Sequence, residues 1–306
     1  MIFRISFTSF TIKNHRLYGS FGAHGSSILL SFMKFWFAAY ALLVATFLLL
    51  AHEWQRLPDG KLRVVALDVG QGDSILITTP LHQRILVDGG PDMALLERLG
   101  EELPFFDRRI DLLILTHQDS DHITALPALL DRYNISHALL TGTANMNSRY
   151  AAFLDGIKQS GAAIIIADAE HDIDFGGGVL LDILWPIASL FGEEVQQVNN
   201  ASVVAKLTYK DHGLLLTGDI EEKTEEELLK AGYDLRADVL KVPHHGSKTS
   251  SSTGFLLAVD PDLALISVGK ENTYGHPHPS VLARYQKLGI PVRRTDQEGS
   301  IEIVLP

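Results

Sequence analysis

The chain has 306 residues, 46% of them hydrophobic, a formal net charge of −11 and no cysteine. That length holds one large or two small domains with a full core, and the missing thiols exclude a disulfide framework, a thiolate zinc site and a cysteine nucleophile. Residues 61–306 carry 21 Lys/Arg against 35 Asp/Glu, which argues against broad sequence-independent binding to nucleic acid, because that affinity comes mostly from cations on phosphates.

Residues 1–26 form a polar-aromatic tail with Arg4, Lys13 and Arg16 and no acid. From Ser27 to Ala51 the only charge is Lys34, and the run is long enough for a single transmembrane helix if Lys34 snorkels to the interface. A signal peptide would have a shorter apolar region and a small-residue cleavage site. A buried core helix is the other reading, although few soluble helices are apolar all round. Arg4, Lys13, Arg16 and Lys34 precede the span, whereas Arg56, Lys61 and Arg63 follow it mixed with Glu53 and Asp59. By four cations to three, this predicts a cytoplasmic N-terminus and an extracytoplasmic domain at the cell membrane.

Leu57–Gly60 (LPDG) is a turn that opens a second domain, 57–306. Strands are predicted over Leu62–Leu67, Ser74–Thr78 and Arg84–Val87, with glycines 70, 72, 89 and 90 at the turns. Gly70-Gln71-Gly72 reads as a tight turn and not a phosphate loop, since no helix follows and no Lys-Ser/Thr closes it. The third strand ends in Asp88, a carboxylate suited to a turn or to supporting a neighbouring loop.

The next stretch, Ile110–Leu130, organises the chain. Leu112–Leu115 is a short apolar run, read as a strand buried on both faces. His117, Asp119, Asp121 and His122 follow at once, and helical spacing begins at Ile123. An Asp N-cap accounts for one of these acids but not for two flanking histidines. Four such groups crowded at a strand end need a cation, for which imidazole nitrogen and carboxylate oxygen are both ligands.

Beyond it, strands are predicted over His137–Thr141, Ala163–Ala167 and Val179–Trp185, with a helix over Ser148–Ser160. Ala201–Tyr209 and Gly213–Thr217 read as a hairpin, and Glu221–Ala231 as an acidic, solvated helix. Val239–Val242, Leu263–Val268 and Ile301–Val304 complete the strands. Two groups of strands with helices in each half predict two mixed sheets packed face to face with helices outside.

Three more clusters lie at strand ends. Asp219 follows LLLTG and is either a ligand or the cap of the acidic helix. His244 and His245 lie in VPHHGS; on an extended chain adjacent side chains point apart, so one of them would face the metal. His276, in a loop stiffened by two prolines, suits the last ligand or a general acid. Residues 241–294 hold seven Lys/Arg (241, 248, 270, 284, 287, 293 and 294) against three acids, a local balance that favours a phosphodiester over an uncharged substrate.

THQDSDHITAL resembles the HxHxDH signature of the metallo-β-lactamase superfamily, with Asp119 in place of the second His. Together with LDVGQGDS and VPHHGS, it resembles the soluble domain of the ComEC family of DNA-uptake competence proteins, from about Leu57 to the C-terminus. The resemblance implies an α/β fold, a four-layer αββα sandwich. It implies two divalent ions, Zn²⁺ or Mn²⁺ with Mg²⁺ also compatible, held by His117, Asp119, Asp121, His122, Asp219, His245 and His276. In it Asp219 is the bridging carboxylate, Asp88 supports the metal loop from behind, and Asp121, His244 and His276 are the catalytic groups. Asp119, and Asn199-Asn200-x-Ser202 where another His is common, make the site oxygen-rich, which suits Mn²⁺ or Mg²⁺. The implied function is a membrane-anchored metal-dependent phosphodiesterase or DNase, with DNA as substrate and uptake-channel components as partners. The family's channel needs many spans, so one span does not make a permease. The alternatives are a metallo-hydrolase of a small ester or phosphodiester, and a non-catalytic metal-stabilised domain that binds a partner.

Overall fold

The computed structural model describes residues 24–57, 59–145 and 147–305, so the predicted tail lies largely outside the described residues. The chain divides between Gln55 and Arg56 into two compact units. The first is the helix α1 (His24–Gln55). Its stretch Ser31–Gln55 is long and apolar enough to cross a membrane, and 0% of its most apolar window is buried.

The second unit begins with β1 (Leu62–Ala66), β2 (Ile75–Thr78), β3 (Arg84–Val87), α2 (Ala94–Glu102) and β4 (Arg109–Ile114). Next come α3 (Ser120–Ile123), α4 (Leu126–Leu130), β5 (Asn134–Leu140), α5 (Ser148–Ser160) and β6 (Ala163–Ile166). The second half holds β7 (Asp172–Gly176), β8 (Val179–Trp185), β9 (Val204–Tyr209), β10 (His212–Leu216), α6 (Glu222–Ala231) and β11 (Val239–Lys241). It ends with α7 (Thr253–Val259), β12 (Leu263–Ile266), α8 (Pro279–Leu288), β13 (Val292–Arg294), α9 (Thr295–Glu298) and β14 (Ile301–Leu305).

Two seven-stranded sheets result, ordered β14-β1-β2-β3-β4-β5-β6 and β13-β12-β11-β10-β9-β8-β7. Their inner faces meet in one core, in which Ile77, Leu112 and Ile114 oppose Leu181, Leu207 and Leu216. The outer face of the first sheet is covered by Leu95 and Leu99 of α2, Leu126 of α4 and Phe153 of α5. That of the second is covered by Leu228 of α6, Phe255 of α7 and Tyr285 of α8. This is the expected αββα sandwich. β4 shows why its run carries no polar residue: Leu112 and Ile114 enter the inter-sheet core, while Leu113 and Leu115 enter the helical layer.

Each sheet is antiparallel at one side and parallel at the other. β3, β4, β5 and β6 run parallel, as do β10, β11, β12 and β13. The chemistry-bearing loops therefore follow the carboxyl ends of neighbouring parallel strands, where open α/β sheets place ligands. The helix after β4 departs from expectation. It starts at Ser120, not Ile123, and breaks into two short pieces, so Asp121 and His122 are held by helical backbone. The edge strands β7 and β13 are absent from the predicted set: β7 alternates only over Ile173 and Phe175, and β13 is three residues long with two arginines, runs too short for sequence periodicity to register.

Candidate metal centre

Asp88 ends β3 with its carboxylate fully buried, and three groups converge on it. Thr116 donates from N to Oδ1 at 2.8 Å and from Oγ1 to Oδ2 at 2.7 Å. His122 Nδ1 lies 2.8 Å from Oδ2. A carboxylate only accepts, so the His122 proton sits on Nδ1 and the Nε2 lone pair faces the other way. There it lies 3.4 Å from Asp219 Oδ2.

The same device recurs twice. Thr116 Oγ1 gives its hydrogen to Asp88 and can accept from His117 Nδ1 at 3.0 Å, which turns His117 Nε2 inward. Ser267 O accepts from His245 Nδ1 at 2.8 Å. His245 Nε2 then lies 3.3 Å from Asp219 Oδ2 and 3.4 Å from Asp121 Oδ2. Three lone pairs thus converge on carboxylate oxygens, acceptor against acceptor. His117 Nε2, His122 Nε2, His245 Nε2 and Asp219 Oδ1 are buried with no hydrogen-bond partner among the described residues. Buried polar atoms are rarely left so, and only a proton or a metal cation between them resolves the arrangement.

The electrostatics agree. Burial opposes charge on His122, yet Asp219 and Asp88 hold its pKa well above the usual imidazole range. Burial likewise opposes charge on His245, but Asp219 and Asp73 raise it to about 10. Asp219 is held far below the carboxylate range by His245 and His122 despite its burial. Asp121 is also depressed, against burial, by the His245 imidazole 3.4 Å away and by the charge of His122. The donor set, three imidazole nitrogens with carboxylates between them, fits divalent cations of the Zn²⁺ and Mn²⁺ class.

Asp119, Asp121 and the three inward imidazoles are brought together, with Asp119 at the rim: it is 48% exposed, and its Oδ2 is 3.7 Å from His117 Nε2. Although Asp119 stands at the N-cap position of α3, its side chain makes no cap bond among the described residues. Nor does Asp219 cap α6, whose N-cap is Glu221. The Asp219 backbone N–H instead bonds Ser202 Oγ at 3.1 Å.

The backbone at His244-His245 is not extended, which corrects the basis for choosing between them. Both residues have positive φ, 49° and 51°, in a tight turn over Pro243–Gly246. That left-handed turn is unusual for non-glycine residues and common at functional sites. It lets both rings approach the cluster, with His244 Nε2 3.9 Å from Asp219 Oδ2 and His244 Nδ1 3.6 Å from Glu221 Oε1. The His276 ring centre is 5.6 Å from that of His244, and Asn272 braces its loop through the His276 N–H and carbonyl. Burial, then His244 and His245, push His276 down to about 4, so it is neutral at pH 7.

The basic run of residues 241–294 does not form an open cationic field. Lys241 is buried against Asp73, and Arg284 bonds the carbonyls of Ser250 and Ser251. Arg293 pairs with Glu298 and Arg294 with Asp296. Lys248, Lys270 and Lys287 remain exposed. Sequence reasoning missed Asp73, which lies with His122, Asp219 and His245 in a group whose ligand atoms are all within 4.8 Å. Its signal was in LDVGQGDS, which carried the resemblance without a role for that acid.

Because Asp88 fixes two of the imidazoles, Asp88→Asn is expected to weaken metal binding about 10- to 100-fold, the usual cost of losing such a support. Titration calorimetry on the folded variant checks it; unchanged affinity contradicts this reading of Asp88.

Residues 67–270 match the family described as the metallo-beta-lactamase superfamily. The chain is 32% identical over 255 residues to ComE operon protein 3 of Bacillus subtilis (strain 168), an alignment covering 77% of this chain and 32% of that protein. It is 32% identical over 269 residues to Competence protein ComA of Neisseria gonorrhoeae, covering 86% of this chain and 35% of that one. The chain thus spans about a third of the length of these relatives. Among solved structures, a variant of the β-hydroxylase CmlA aligns with a TM-score of 0.51 at 12% identity, over 81% of this chain and 54% of that one. That likeness concerns the fold alone.

Proposed function

The chain belongs to the metallo-β-lactamase superfamily, and from that premise we propose that it is a membrane-anchored, metal-dependent phosphodiesterase that cleaves DNA during its uptake. The observation that carries the proposal is the convergence of His122 and His245 Nε2 on the Asp219 carboxylate, with His117 Nε2 buried beside Asp119 and none of these nitrogens hydrogen-bonded among the described residues. The similarity to competence proteins supports the substrate class.

In this reading His117, Asp119, Asp121, His122, Asp219, His245 and His276 would hold two divalent cations, Asp219 being the carboxylate that could serve both. Such cations supply water activation near neutral pH and neutralise charge on a phosphoryl oxygen. His276 is held neutral at pH 7 by burial and by His244 and His245, which leaves one ring nitrogen a lone pair for a cation and favours a ligand role over that of general acid. His244, with Nδ1 toward Glu221 and Nε2 toward the cluster and toward Asn199 Nδ2, is kept below the usual imidazole pKa by burial, so it is placed to orient the leaving group and exchange a proton with it. Beside Glu221 lies a groove of about 560 Å³ whose lining includes Lys223, Lys248, Thr249 and His278. Its two lysines are matched by Glu221 and Glu222 in the same lining, so a phosphodiester chain there would depend on the metal cations more than on the groove for its charge balance.

The test is hydrolysis of single-stranded DNA, duplex DNA and a small chromogenic phosphodiester after chelation, with Mn²⁺, Zn²⁺ or Mg²⁺ restored in turn. DNA cleavage restored by one of these ions is expected. Turnover of the small substrate alone supports the small-ester reading, and bound metal without turnover supports a non-catalytic domain.

The anchor carries its own expectation. The full chain should stay with membranes through alkaline extraction, and residues 57–306 should be soluble, as the proposed domain boundary requires. Recovery of the uncleaved full chain in the soluble fraction contradicts a membrane span. Protease added outside intact spheroplasts should reach the domain; protection until lysis reverses the proposed topology.

A further inference from the structure

Asp73 and Lys241 are the buried charges that the proposed chemistry leaves unused. Asp73 follows the Gly70-Gln71-Gly72 turn between β1 and β2, and Lys241 ends β11 in the opposite sheet. Both side chains are nearly inaccessible, and Lys241 Nζ lies 2.5 Å from Asp73 Oδ2. The same ammonium donates to Val242 O at 3.0 Å and approaches Gly218 O at 3.5 Å. It thereby touches the two segments that carry Asp219 and His245.

The other oxygen, Asp73 Oδ1, is buried and has no hydrogen-bond partner among the described residues. It lies 3.5 Å from His245 Nδ1, the ring edge that donates to Ser267 O. Nε2, on the opposite edge, faces Asp121 and Asp219. Asp73 therefore faces the Nδ1 edge of the imidazole. A buried carboxylate at this edge stabilises the Nδ1–H tautomer and keeps the Nε2 lone pair directed inward. Lys241 balances its charge, which a buried carboxylate requires.

We propose that Asp73 and Lys241 are a positioning pair: Asp73 fixes the tautomer and angle of His245 at its Nδ1 edge, and Lys241 locks Asp73 to the strand ends that carry Asp219 and His245. This rests on reading the cluster as a metal centre. Asp73 is read as a positioning residue and not a ligand because Oδ2 is held by Lys241 and Oδ1 faces Nδ1, the edge of His245 that donates to Ser267 O.

The test must separate positioning from a buried ion pair that merely holds the fold. Metal affinity and thermal stability are measured for the full chain in detergent, as wild type, Asp73→Asn, Lys241→Met and the double variant. The visible spectrum of the Co²⁺-loaded forms is recorded alongside. Both single variants should lose stability, each leaving one polar partner buried without its counterpart. The double variant, with both charges removed, should recover much of it. Metal affinity should behave differently, falling about 10- to 100-fold in Asp73→Asn and staying low in the double variant, with an altered Co²⁺ spectrum in both. Wild-type affinity and spectrum in the double variant overturn the positioning role and leave the metal centre standing. A wild-type chain that binds no Mn²⁺, Zn²⁺ or Co²⁺ removes both. If Asp73→Asn is too unstable to study, the double variant still decides between the two roles.

Discussion

Asp219→Ala and Asp219→Ser are both expected to lose bound metal and hydrolysis together while remaining folded. Both His122 Nε2 and His245 Nε2 face the Asp219 carboxylate within 3.5 Å. Without it, two cations would lie close together with no anion between them, and at least one should leave. Supporting residues outside a ligand shell are already worth 10- to 100-fold, so the loss here should be at least about 100-fold in metal affinity, with turnover falling in parallel. Ser is the informative variant because it caps helices well. Had Asp219 served as a cap, Ser would preserve stability and metal content alike, but the cap position belongs to Glu221. Metal analysis after gel filtration, read beside a melting curve, decides the matter. Full metal content in Asp219→Ser would leave the proposed centre without its bridge.

What the sequence made legible follows a physical rule. An apolar run packed on both faces has to end where the sheet ends, so polar residues immediately after it mark a loop at a sheet edge. Leu112–Leu115 followed by His117 and His122, and Leu214–Leu216 followed by Asp219, were readable for that reason. The hairpin was readable from its turn residues, although the turn expected over Lys210, Asp211 and His212 is one residue shorter, because His212 pairs with Tyr209 as the first residue of β10. The direction of His244 and His245 was not readable, because positive φ at a non-glycine residue is imposed by tertiary packing and leaves no local mark. Asp73 was equally silent. Its partner Lys241 lies in the other sheet, and a lone acid after a turn looks like any turn acid until that lysine is placed. The local positive balance of residues 241–294 misled for a related reason, since a count of charges does not show which are already paired inside the fold.

Gly72→Ala is expected to damage both the fold and the metal centre, although Gly72 is no ligand. Gly70-Gln71-Gly72 reads as a turn in sequence, and its surroundings give one of these glycines a second role. Gly72 has φ of +149°, and a Cβ on it would stand 2.2 Å from the carbonyl oxygen of Asp121 and 3.0 Å from Pro91 Cδ. The neighbouring amide, Asp73 N, donates to that same Asp121 oxygen at 3.2 Å. The turn therefore clamps the first turn of α3 from beneath, and one methyl group must push Asp121 away from His245 or lift Asp73 off Lys241. Strained backbone costs about 1–3 kcal/mol and overpacking a further 1–3 kcal/mol, so a loss of about 2–6 kcal/mol is expected in urea unfolding. Metal affinity should fall with it. Gly100→Ala is the matched control, because it lies inside α2 with nothing within 4 Å of a new Cβ, and there alanine should stabilise by up to about 1 kcal/mol. If Gly72→Ala unfolds at the wild-type midpoint and binds its full complement of metal, the clamp does not exist, and the placement of Asp121 must come from α3 alone.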